Sequence, residues 1–479
     1  MRPAIPVAFV AALALGGCAA TAPPRVDLPA AFDAPAPGEA SADAAAAVDL
    51  DRWWTAFGDE SLTRLVEEAL VSAPDARTAA ARLREVRASA AAALTSFLPQ
   101  GSANGTARRT DTRQLEGPSL QLPGYSTSGV SEAYGANFNV SWEVDLFGRL
   151  IAARRTERGQ SAAARFAYEG ARASLAAGVA DAYFQARGLA IQLADAQQTV
   201  RIQKELYRIA DERSRRGLAS SSDADRVAAE LARAEGQARQ LEAELRAAKR
   251  SLLVLTGRGT DPLDSLATPA SVGVIPTVPA TLPSQLLVRR PDIRESLANL
   301  RSQGGQLLYR RLAFLPTLTF TPGLGWTRNV QPGLQLESQN WSLGGGVSMP
   351  VLDIPRLLLE LRAQNARVEQ AVIAYEKTVQ TAFGEAESAL NRLEADRRQV
   401  ELLSEGEARA ARAYEAAQRG YGLGLVDLQT TLGAEQTWRA TRSQHAAAQV
   451  QGLRRAVQTY KALGGGWPAQ APSSSREAG

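Results

Sequence analysis

Between Asn137 and Arg158 the sequence NFNVSWEVDLFGRLIAARRTER changes its hydrophobic period from two to about 3.6. Upstream, Tyr134, Ala136, Phe138, Val140, Trp142, Val144 and Leu146 alternate with Gly135, Asn137, Asn139, Ser141, Glu143 and Asp145, which predicts a strand with one apolar and one polar face. Beyond Gly148 the pattern is that of a very long helix. A strand of about ten residues with an apolar face fits a bilayer, whereas a continuous helix of roughly sixty residues would reach on the order of 90 Å. A membrane strand running straight into such a helix implies a tube that projects from the membrane.

Composition narrows the alternatives. Alanine and arginine are abundant, lysine is nearly absent and aromatics make up 6% of 479 residues, a balance suited to long helices with close alanine packing. The net charge is only +4, and the arginines interleave with Glu and Asp at helical spacing, as in Glu242 and Arg246, so they read as solvated helix faces and no nucleic-acid partner is expected. One cysteine, Cys18, and one histidine, His445, leave almost no raw material for a disulfide framework, a Cys/His zinc site or a Ser-His-Asp triad. His445 reads as a surface helix residue, and no metal or cofactor is expected. No apolar run of helical membrane-spanning length follows the amino terminus, so a bilayer would have to be crossed by strands.

Residues 1–17 have the form of a short secretory signal: Arg2, then an apolar stretch from Ala4 to Leu15. Leu15-Gly16-Gly17-Cys18 resembles the bacterial lipobox, in which the cysteine becomes the acylated first residue of the mature chain, typically carrying palmitate. The alternative is an ordinary signal with an incidental cysteine. Acyl chains would hold the amino terminus to a leaflet by burying CH2 groups. Ala19, where lipoprotein sorting rules would place Asp for retention elsewhere, points by the same resemblance to the outer membrane. The stretch to about Val48 is rich in Pro, Ala and Asp and is expected to be extended.

The chain also matches itself. Pro74-Asp75 aligns with Pro291-Asp292, and Leu98-Pro99 with Leu315-Pro316, at a displacement of 217 (291 minus 74). After the strands the displacement is 207 (356 minus 149): Arg149 with Arg356, Tyr168-Glu169 with Tyr375-Glu376, Gly217 with Gly424, Gly257 with Gly464. The difference places an insertion in the first hairpin, around Asp111 to Ser131, where loop residues dominate. Each half reads helix, strand, strand, long helix, turn, helix. In the second half Leu318, Phe320, Pro322, Leu324 and Trp326 share one strand face, and Trp341, Leu343, Val347, Met349 and Val351 share a face of the return strand. Four strands cannot close a barrel, and an open edge in lipid leaves backbone groups unpaired at several kcal/mol each. Oligomerisation is therefore required, and three copies would supply twelve strands.

Four ordered motifs carry a resemblance: WWTAFGDESLTRLVEEAL (Trp53 to Leu70), WEVDLFGR (Trp142 to Arg149), RRPDIRE (Arg289 to Glu295) and YKALGGGW (Tyr460 to Trp467). Together they resemble the outer membrane factor (TolC-like) family, in its lipoprotein branch of efflux channels of the nodulation-protein T type, over nearly the whole mature chain. The resemblance implies a homotrimer, with a transmembrane β-barrel of twelve strands continued by an α-helical barrel through the periplasm. It also implies a duct without enzymatic activity, working in multidrug-resistance-type efflux with a periplasmic adaptor (membrane fusion) protein and an inner-membrane RND-type pump, among outer membrane lipids. On this plan residues 18–58 form a lipid-anchored extended segment. Residues 59–98 form a helix, 99–148 a β-hairpin, 149–257 long coiled-coil helices and 258–283 an equatorial linker. The second half repeats the plan as a helix over 284–314, a hairpin over 315–354, coiled-coil helices over 355–463 and an equatorial tail over 464–479.

The family closes its periplasmic tip with a Tyr before the second turn bonded to an Asp after the first. Tyr421 and Asp223 occupy those places, with Ser222 as the neighbouring hydroxyl; Val426 stands where a charged residue is usual, so a charged latch would shift to Asp427. An N-cap role for Asp223 after the serine run, and coil packing for Tyr421, are the alternatives. Gly464-Gly465-Gly466 lacks the context of a phosphate loop and reads as a helix end. Trp53-Trp54 reads as belt packing, not a sugar platform. Two readings from other classes remain open: a lipid-anchored coiled-coil envelope scaffold without a pore, and a cell-wall hydrolase using a carboxylate pair.

Overall fold

A computed structural model describes residues 26–33, 50–113, 129–217, 220–271, 273–278, 283–331, 333–423 and 425–466. Cys18 lies outside them, as do Gly424 and the side chain of Tyr421. The chain divides into two compact units, one containing Arg84–Ala163 and Leu297–Ala374, the other Arg25–Leu83, Ala164–Ser296 and Tyr375–Gly479.

After a kinked 3-10 segment, Leu50–Phe57, come α1 (Glu60–Ser72), α2 (Pro74–Thr95), β1 (Gln100–Thr112), β2 (Gly129–Val144), α3 (Arg149–Arg215) and α4 (Ser221–Leu255). The second half runs α5 (Pro283–Arg289), α6 (Pro291–Leu312), β3 (Thr317–Gln331), β4 (Leu334–Ser348), α7 (Ile354–Gly422) and α8 (Leu428–Ala462). The single helices read over 59–98 and 284–314 are each broken in two, at Pro74 and Pro291. Proline has no N–H to continue the ladder and pushes the residue before it out of the helical region; Ala73 accordingly sits at φ −59, ψ 137. The halves correspond in three dimensions at their helix ends. Gly257 (φ +79) stands where a Cβ would lie 2.9 Å from the Ser72 carbonyl oxygen, and its repeat mate Gly464 (φ +76) where one would lie 3.0 Å from Arg289 Cβ. Left-handed backbone and close approach both require glycine there.

In the unit that holds the chain ends of α8 and the 3-10 segment, the core is aromatic. Trp53 stacks on Tyr460 at 5.7 Å and meets Trp54 and Phe57 edge-on, while Phe57 lies 5.1 Å from Phe184. Trp53 and Trp54 are 1% and 3% exposed, so the tryptophan pair is core. Arg454 of α8 grips Asp181 of α3 through two bonds of 2.8 and 2.9 Å. Burial pushes the phenols of Tyr183 and Tyr460 up to about 12. His445 departs from the surface reading: its ring is half-buried and Nδ1 lies 2.6 Å from Glu407 Oε2.

The other unit holds the sheet and a close helix crossing. A Cβ on Gly159 of α3 would lie 2.6 Å from Ser302 N of α6, and one on Gly305 of α6 would lie 2.6 Å from Thr156 N of α3. Two glycines, one per helix, let the backbones touch.

Candidate functional site

The four strands form one antiparallel sheet in the order β1-β2-β3-β4, so the two halves of the chain join through β2 and β3. Register then sorts side chains by face. Ala103, Phe138, Leu324 and Trp341 form one row across all four strands, Gly105, Ala136, Trp326 and Gln339 the next, and Val144, Leu318 and Val347 another. Phe138, Leu324, Trp341, Leu343 and Val347 are 47, 61, 77, 64 and 73% exposed. A soluble surface does not carry such a continuous band, whereas a bilayer buries it. At its outer margin the band turns polar: Tyr134 donates to Glu132, Arg109 pairs with Glu132, and Trp326 Nε1 donates to Glu337. Pro322, in the central strand β3, lacks a ladder donor, and the β2–β3 pairing skips the positions between Asn139 and Trp142.

The opposite face is made of amides, hydroxyls and glycines. Asn104, Asn137, Gly325 and Asn340 form one row, Ser102, Asn139, Gly323 and Ser342 the next, and Thr106, Gly135, Thr327 and Ser338 a third. The glycines make room for neighbours to lie down. A Cβ at Gly325 would meet Asn340 Oδ1 at 2.4 Å and Asn137 Oδ1 at 2.9 Å, and one at Gly323 would meet Ser342 Oγ at 2.8 Å. Asparagine side chains therefore lie along the wall. No sequence signal short of the register between β2 and β3 identifies these residues as one shelf.

The change of period has a local cause. Asp145 Oδ1 accepts from the N–H groups of Gly148 and Arg149 at 2.9 and 2.8 Å, and Oδ2 from Leu150 at 2.8 Å. Gly148 (φ +84) makes the turn. One carboxylate thus satisfies three of the orphan donors at the start of α3 and stops the strand. Arg149 then bonds Glu143 at 2.8 Å and reaches Tyr309.

At the two turns between the long helices, Ser220 and not Asp223 is the N-cap of α4, its hydroxyl accepting from Ser222 N at 3.1 Å. Asp223 sits half-buried in the first turn, and Ser222 is exposed. Asp427 caps α8, accepting from Thr430 N at 2.6 Å, and that backbone bond holds its carboxyl below the usual range. Among the described residues no group of three or more His, Cys, Asp or Glu could hold a metal ion, and no helix is long and apolar enough to cross a membrane.

A family model described as "Outer membrane efflux protein" matches residues 65–258 and 282–465. The chain belongs to the outer membrane efflux protein family. It is 29% identical over 464 residues, 96% of this chain and 97% of the relative, to the pyoverdine export outer membrane protein OpmQ of Pseudomonas putida. To the outer membrane protein OprJ of Pseudomonas aeruginosa it is 30% identical over 477 residues, 97% of each chain. The solved outer-membrane channel OprN superposes with a TM-score of 0.74 at 27% identity, over 94% of this chain and 100% of that one. The chain is thus an outer membrane efflux channel that extends into the periplasm, with the fold of the trimeric channels in which a β-barrel continues as a helical tunnel. In a barrel of that fold the apolar band is the face suited to lipid and the amide face the one suited to a lumen.

Proposed function

We propose that three copies of this chain form the passive exit duct of a tripartite efflux system, receiving substrates from an inner-membrane RND-type pump through a periplasmic adaptor. The supporting observation is the two-faced sheet whose edges on β1 and β4 are unpaired among the described residues, edges that must be joined by neighbouring copies before the wall can stand in lipid. Energy is then supplied by the pump, and this chain contributes a lumen and a gate. Selectivity follows from pore width and lining charge. Purified protein should migrate as a heat-modifiable trimer and conduct ions in planar bilayers. A stable monomer that stays in solution without detergent would sink the proposal. The exposed apolar band also speaks against a poreless scaffold, which has no use for it.

Two finer elements belong to the same proposal. Cys18 carries the lipid anchor, so labelled palmitate should enter the wild type and not Cys18→Ser. The periplasmic tip is held by Tyr421 and Asp223 with Ser222 beside them, while Asp427 contributes by fixing the second turn that it caps.

A further inference from the structure

The lumenal face of the sheet is nearly free of charge. In β1 it carries Gln100, Ser102, Asn104, Thr106, Arg108, Thr110 and Thr112, in β2 Ser131, Ala133, Gly135, Asn137, Asn139, Ser141 and Glu143, and in β3 and β4 only neutral residues. Two ionisable side chains therefore stand on it among the described residues, and they differ in their surroundings. Glu143, near the helical end, is neutralised by Arg149 at 2.8 Å. Arg108, near the opposite end, shares its row with Ala133, Asn329 and Leu336 and stands exposed, with no acidic residue beside it in the rows on either side. Its chain neighbour Arg109 points to the other face, because strand side chains alternate, and is occupied there by Glu132.

We propose that Arg108 makes the outer end of the barrel an anion-preferring filter, so that the duct favours solutes bearing a carboxylate or another negative group over cations of equal size. This rests on the reading of the amide face as the lumen of a trimer. Threefold symmetry repeats Arg108 at one height, giving a ring of three guanidinium groups. Amide and hydroxyl groups on the wall below offer hydrogen bonds to any solute but no countercharge. At physiological salt a charge is felt over about 8 Å, so a ring on the wall biases the ions that pass beside it without closing the pore.

The test is the reversal potential of the trimer in planar bilayers under a potassium chloride gradient, with trimer assembly checked by heat-modifiable migration. Wild type should show an anion-to-cation permeability ratio above one. Arg108→Gln should bring the ratio toward one, and Arg108→Glu should lower it by at least about twofold, as three ring charges change sign within a screening length of the ion path. Arg109→Gln, one residue along and on the lipid face, should leave it unchanged. An Arg108→Glu channel with the wild-type reversal potential would overturn the proposal. Equal shifts from Arg108→Gln and Arg109→Gln would overturn it too, through the facial assignment. A wild-type trimer that does not conduct would instead overturn the channel reading on which the proposal stands.

Discussion

Arg187 and Asp59 are 128 residues apart in the chain, yet the guanidinium of one closes directly on the carboxylate of the other. Their side chains are 9 and 17% exposed. Asp59 uses Oδ1 to cap α1, accepting from Ser61 and Leu62 N–H at 2.9 and 3.1 Å, and Oδ2 to bind both Arg187 and the Tyr183 hydroxyl. Asp59→Ala should lose a cap worth about 1 kcal/mol and also strand a buried cation, a loss of about 3–5 kcal/mol in comparable buried pairs. Asp59→Asn keeps the cap and should fall between. Thermal denaturation of the detergent-solubilised trimer measures the order; equal midpoints for wild type and Asp59→Ala would refute it.

Gly305→Ala should destabilise although alanine is the better helix former. The added Cβ would lie 2.6 Å from Thr156 N, a backbone atom that cannot step aside, and overpacking of this kind costs about 1–3 kcal/mol. Gly236, in α4, has nothing within 4 Å of the same atom, so Gly236→Ala should stabilise by about 0.5–1 kcal/mol. Opposite shifts in the thermal midpoint are expected, and shifts of one sign would contradict the helix crossing.

Gly325→Ala acts on the lumen and not on the fold. Its Cβ would displace the amide ends of Asn340 and Asn137, which are flexible, so stability should change by less than about 1.5 kcal/mol while the amides swing into the pore. Single-channel conductance should drop with trimer assembly intact. Unchanged conductance would mean that the amide shelf does not line the narrow path.

Glu435 is 2% exposed and its Oε1 has no hydrogen-bond partner, the nearest cation being Arg439 Nε at 3.8 Å. Burial raises its carboxyl above the ordinary 4.5, and Arg439 only partly opposes this. A carboxyl that holds its proton more tightly when folded stabilises the fold below the unfolded-state value and loses that stabilisation as pH rises through the folded-state value. Glu435→Gln should thus melt higher than wild type at about pH 7 and lose that advantage toward about pH 4. A lower midpoint at neutral pH would show that the ion pair outweighs burial.

The periplasmic tip is tested by Tyr421→Phe combined with Asp223→Ala. If these residues hold the two turns together, the double variant should conduct more than wild type in planar bilayers. Identical single-channel conductance would remove them from the gate and leave Asp223 as a first-turn residue beside the Ser220 cap.

The sequence alone determined the local choices. Alternation in β2 and β3, the switch at Gly148 and the paired glycines Gly257 and Gly464 follow from period and left-handed backbone, which act within a few residues, whereas the breaks at Pro74 and Pro291 interrupt segments that the pattern reads as single helices. The family motifs, and with them the channel, were legible for the same reason: each is a short contiguous string. Tertiary structure decided what meets what. Nothing near Asn137 in the chain indicates that it shares a shelf with Asn340, nothing near Asp59 points to Arg187, and Gly159 and Gly305 look like ordinary helix weak points until α3 and α6 cross. Such pairings depend on which of many equally apolar or equally small surfaces come together. That is settled by the simultaneous packing of the whole chain, because burial rewards area without regard to where in the sequence it comes from.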